Sequence, residues 1–144
     1  MRNDGWILNA LDNLAHNNMR ALKAGDMAEI YRTLIRVARK ELDYVPDKPG
    51  LIFYSDLIPI ESRNDEELIG EVLGEISDHE RREGRPLLSA IVVHKNLPQV
   101  PGKGFYTFND TGENDLIFWG KALGKVHDFW KCHTIDADLN VVKE

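Results

Sequence analysis

Apolar positions recur at helical spacing in four stretches of the chain. Ile7, Leu8, Leu11, Leu14, Ala15 and Leu22 predict a helix from about Trp6 to Ala24, stopped by Gly25. Met27, Ile30, Tyr31, Leu34, Val37, Ala38 and Leu42 predict a second, opened by Asp26 as N-cap with Glu29 three residues later. The short connection makes these two a helical hairpin. Leu68, Ile69, Val72, Leu73 and Ile76 form a third stripe, introduced by the capping pair Asn64 and Glu67 and ended by Gly84. Leu116, Trp119, Leu123, Val126 and Trp130 predict a long last helix.

Other apolar runs have no helical period. Leu51 to Tyr54 reads as a strand or a buried turn, after which Ser55 caps a very short helix that Pro59 interrupts. Leu87 to His94 is nearly continuous in apolar character and ends in β-branched residues, the pattern of a strand inside a sheet. Leu97 to Gly104 holds two prolines and two glycines and reads as a loop, with Phe105 to Phe108 as a partner strand beyond it. Thr134 to Val142 alternates weakly, as a terminal edge strand or tail does. The expected fold is a single α+β domain over residues 1–144, with three or four helices and a small β-sheet.

Composition narrows the class. Hydrophobic residues make up 42% and charged residues 29%, values of a globular rather than a disordered chain. The one cysteine, Cys132, has no internal disulfide partner, which points to a reducing compartment. No apolar run approaches the about 20 residues that span a bilayer, and Met1 to Trp6 lacks the apolar core of a signal peptide. The expectation is a cytoplasmic protein without membrane contact. A net charge of −6 repels polyanions at long range, so nucleic-acid binding needs a local basic patch.

Two regions carry candidate chemistry. The first is Arg85 to Tyr106, where an apolar run delivers Ser89, His94 and Lys95 beside a Pro/Gly loop. There His94 can carry a proton, Lys95 can bind an anion, and Gly102 and Gly104 let a ligand approach the backbone. These three are the candidate catalytic residues, and Lys103 and Tyr106 are candidate binding residues. The plain alternative is polar residues closing a strand and glycines shaping a turn. The second region is the basic stripe Arg32, Arg36, Arg39 and Lys40, extended by Arg20 and Lys23, where spacing of four residues puts Arg32, Arg36 and Lys40 on one side. It reads as an anion-facing surface or as a solvated face. Between Glu61 and Glu80 the chain carries eight acidic residues against one base, Arg63, a face that disfavours DNA. It suits a basic partner or phosphate mimicry, or is solvated. The five histidines show no metal-ligand spacing. No P-loop or G-x-S-x-G elbow is present, and no cofactor is expected.

The residues Pro86-Leu87-Leu88-Ser89-Ala90, Val92-Val93, Lys95 and Pro101-Gly102-x-Gly104-Phe105, followed by Phe118-Trp119 and Phe129-Trp130, resemble the signature of a family of small uncharacterised bacterial and phage proteins. That resemblance implies a prokaryotic or phage setting and a role in conflict between phage and host. The order Tyr54-Ser55-Asp56-Leu57, Ile69-Gly70-x-x-Leu73-Gly74 and Pro86 to Val93 is distantly similar to the winged-helix domain of DNA alkyltransferases. Ser89 stands where that family has its reactive cysteine, and Ala90 and Ile91 replace the histidine and arginine. The resemblance therefore implies a winged-helix-like centre and no alkyl transfer.

The function expected from these readings is a non-enzymatic binding module for a protein or nucleic-acid partner. The alternative is a nuclease or small-molecule hydrolase built on Ser89, His94 and Lys95. It requires a pocket joining His94 and Lys95 to a carboxylate such as Asp56 or Glu61.

Overall fold

The computed structural model describes residues 4–17, 23–57 and 66–144. Along the chain it places α1 (Gly5–Asn17), α2 (Ala24–Ala38), β1 (Ile52–Phe53), α3 (Tyr54–Leu57), α4 (Glu66–Arg82), a 3-10 turn (Leu88–Ile91), β2 (Val92–Val93), α5 (Lys103–Tyr106), α6 (Asp115–Lys131), β3 (His133–Ile135) and β4 (Val141–Lys143). The fold is α+β; among the described residues four long helices lie on the four apolar stripes and two helices have a single turn. No helix among the described residues is long and apolar enough to cross a membrane.

The helix ends differ from the sequence signals. α2 starts one turn early, with Lys23 as an N-cap that offers no side-chain bond. Asp26 lies in its first turn and Gly25 lies inside it. Gly84 does end α4: it takes a φ of +73°, and the Arg85 N–H returns to the Glu80 carbonyl at 2.8 Å. Asn114 caps α6 by accepting the Leu116 N–H at 2.9 Å. Arg20, Pro59, Glu61, Arg63, Asn64 and Asp65 lie outside the described residues.

The expected strand at Leu87 to His94 is mostly something else. Leu88–Ile91 forms the 3-10 turn, and only Val92 and Val93 extend, pairing in parallel with Ile52 and Phe53. Side chains supply the bonds that a neighbouring strand would give. Ser77 Oγ accepts the Ser89 N–H at 3.0 Å, and the Trp119 indole donates to the Ala90 carbonyl at 2.8 Å. With its polar groups met this way, the run can sit dry in the centre of the molecule, against α2, α4 and α6. Leu88, Ala90, Ile91, Val92 and Val93 are all fully buried. Phe105 to Phe108 is likewise not a strand: Lys103–Tyr106 is the helical turn α5. The chain end is a β3–β4 hairpin that pairs with itself.

Candidate functional site

A cleft opens between α4 and the Pro/Gly loop, and the parallel strand pair sets its width. Val93 ends β2 beside Phe53, so the loop that follows β2 returns past Tyr54, the first residue of α3. The Tyr54 hydroxyl accepts the Gly102 N–H at 2.7 Å. A Cβ at Gly102 would stand 2.9 Å from that hydroxyl and 3.3 Å from His94 Nε2, so glycine allows the loop this close approach.

The cleft has a volume of about 260 Å³. Gly70, Leu73 and Gly74 of α4 form one wall, and Gly102 to Phe105 form the other. Tyr54, Ser89 and Phe108 complete the lining. Glycine inside a helix costs about 0.5–1 kcal/mol against alanine, and α4 carries two of them four residues apart on the cleft side. A Cβ at Gly70, Gly74 or Gly104 would meet nothing within 4 Å. Packing therefore does not demand these glycines; their effect is to keep the cleft open and its walls flat.

Ser89 is 3% exposed, and its Oγ lies 2.6 Å from Ser77 Oγ. Its backbone N–H also goes to Ser77, so the pair fastens the buried turn to α4 while Ser89 borders the cleft. His94 and Lys95 are not with it. His94 is half-buried with its ring 4.8 Å from that of Tyr54 and is not part of the cleft lining. Lys95 is exposed on the loop. Among the described residues no carboxylate lines the cleft. Asp56 instead accepts the Phe53 N–H at 3.2 Å. Lys103 is exposed at the cleft rim, whereas half-buried Tyr106 turns its ring against Phe105. Burial, with Asp115 nearby, pushes the Tyr106 hydroxyl pKa up.

The basic stripe divides. Arg36 is exposed beside Glu41, and half-buried Arg32 donates to the Ala137 carbonyl at 3.3 Å. Arg39 is a structural residue rather than an anion-binding one. Its side chain is only 12% exposed, and it donates to the Trp130 and His133 carbonyls and to Glu41 and Glu144.

The acidic helix is not uniformly solvated either. Glu80 is fully buried, takes the Tyr31 hydroxyl at 3.1 Å, and receives Arg85 Nε at 2.8 Å. His79 Nε2 lies 3.3 Å from the same guanidinium, and its ring stacks on Trp6 at 4.0 Å. Burial first, then Arg85, lowers the His79 pKa to about 4. Burial and Glu80 push the Tyr31 hydroxyl up. This cluster ties α1, α2 and α4 together. It and the cleft aromatics escaped the sequence reading because their members lie far apart in the chain. The spacing of Gly70 and Gly74 within a helical stripe was the one local signal.

Among the described residues no group of three or more histidine, cysteine, aspartate or glutamate side chains is placed to hold a metal ion. No family model, curated protein or solved structure matches the chain.

Proposed function

We propose that the protein is a non-enzymatic cytoplasmic binding module whose glycine-walled cleft takes a flat, weakly polar group projecting from a protein or nucleic-acid partner. One observation carries this reading: two interior helix glycines, with open space over each, face a loop held close by the Tyr54–Gly102 bond. The result is a slot with flat walls, lined by Tyr54, Phe105, Phe108 and Ser89, with Lys103 at its rim. Such a slot accepts a planar ring by stacking and apolar contact. The chain order of the Tyr54 segment, α4 and the Ser89 turn supports a winged-helix-like centre as part of this proposal. The hydrolase alternative draws less support, because among the described residues the cleft brings Ser89 without His94, Lys95 or a carboxylate.

The test is a titration followed by amide NMR, with adenine as the probe for a base and indole as the probe for an aromatic side chain. At least one probe is expected to shift the amide signals of Gly70, Gly74, Gly102 and Gly104. Gly74→Leu, whose side chain occupies the slot, is expected to abolish those shifts. The His94→Ala and Lys95→Ala double variant is expected to leave them unchanged. Shifts that avoid the cleft glycines, or that persist in Gly74→Leu, overturn the proposal.

A further inference from the structure

On the other side of Phe108 lies a second, larger depression. It has a volume of about 560 Å³ and runs between the end of α4, the segment Gly84 to Leu87, the loop before α6, and α6 itself. Its size falls within the about 300–1,000 Å³ typical of ligand sites. Phe108 lines both it and the cleft, so the two are adjoining compartments.

The floor is apolar: Leu87, Phe108, Phe118 and Phe129 line it, each of them half-buried. Three partly exposed phenylalanines gathered in one concavity are more than scattered surface apolar residues, which occur singly on most proteins. The walls carry both signs of charge. Arg81, Arg85, Lys121 and Lys125 stand against Asp110, Glu113 and Asp128, and Arg85 is already paired with buried Glu80. The Arg81 guanidinium lies 5.2 Å from the Phe108 ring centroid, and Glu113 holds Lys121 at 2.5 Å. Lys125, Asp110 and Asp128 form no ion pair among the described residues. Lys125 and Asp128 lie three residues apart on α6, so they share a side of the groove.

A nucleic acid presents one sign of charge at every phosphate and gains affinity from an excess of cations. With Arg85 neutralised by Glu80, the remaining three cations meet three acids over aromatic rings, and the groove lacks that excess. A polypeptide offers what matches it: an apolar side chain for the floor and neighbouring side chains of either sign for the walls. We infer that the groove past Phe108 binds an extended polypeptide segment carrying a large apolar residue flanked by charged ones, and hence that the partner is a protein. This rests on the cleft reading, in that the same segment then presents its flat group to the adjoining slot.

The experiment pans a random peptide library displayed on phage against the full chain and against the double variant Lys125→Glu, Asp128→Lys. Both positions are exposed, so the variant keeps the fold, which circular dichroism checks. The wild type is expected to enrich peptides with a large apolar residue beside charged ones. Those peptides, made synthetically, are expected to bind the variant about tenfold more weakly. The variant is expected to select the opposite arrangement of flanking charges. Failure to enrich any consensus, equal binding of the selected peptides to both proteins, or their displacement by an oligothymidylate strand overturns the inference. Peptides that fail while adenine or indole still shifts the cleft glycines count against this inference alone. Loss of both responses counts against the cleft reading itself.

Discussion

At the scale of single residues, the buried cluster around Glu80 sets a pH dependence. His79 is 9% exposed and has its pKa lowered to about 4, against an ordinary value near 6.5. The unfolded chain thus binds a proton between these values that the folded chain does not. Stability is complete above about pH 6.5 and is lost as the pH falls toward 4. Denaturant unfolding at pH 7 and at pH 4.5 is expected to differ by about 2 kcal/mol from this group alone. His79→Phe, which keeps the stack on Trp6, is expected to flatten that difference. An unchanged pH slope in the variant would show that His79 is not the source. The surroundings give the reason: Arg85 approaches Nε2 from one side, and the Trp6 ring covers a face. A second proton there would face a guanidinium without water to screen it.

At the scale of elements, Arg39 fastens the C-terminal end of α6 and the hairpin after it to α2. Its guanidinium spans the Trp130 carbonyl, which the helix end leaves unmet, and the His133 carbonyl of β3, and reaches Glu144 at 2.8 Å. Arg39→Ala is expected to destabilise the chain by about 2–3 kcal/mol, since charged hydrogen bonds are lost and carbonyls are left unpaired. Arg36, 58% exposed on the same helix, is expected to cost under about 0.5 kcal/mol when changed to alanine. Thermal or denaturant melts of the two variants compare them directly, and equal losses would contradict this assignment. The sequence marks both arginines as members of one stripe, because spacing reports a helix side and not what lies opposite it. The same limit applies to Leu88–Ile91. A dry apolar run has no period to separate strand from turn, and the deciding bonds come from Ser77 and Trp119, 12 and 29 residues away from their acceptor or donor sites. The four long helices were legible because each shows its buried face every three or four residues. Phe105 to Phe108 was not, since four residues rich in aromatics fit a strand or a helical turn equally well.

At the scale of the whole molecule, two concavities share Phe108, one flat-walled and nearly uncharged, the other aromatic with charges of both signs. The net charge of −6 sets a general repulsion for polyanions, against which the cleft offers the single cation Lys103 and the groove cations largely matched by acids. The candidate site was half legible. Ser89, Gly102, Lys103 and Gly104, which lie near one another in sequence, all line the cleft, whereas the neighbouring His94 and Lys95 do not. The most direct measurement is a crystal structure of the protein grown with indole or adenine. The account predicts a ring lying in the slot between α4 and the Gly102–Gly104 loop, with the Tyr54–Gly102 bond intact. A loop collapsed onto Gly70 and Gly74 with the probe excluded, or a probe bound only elsewhere, would contradict it.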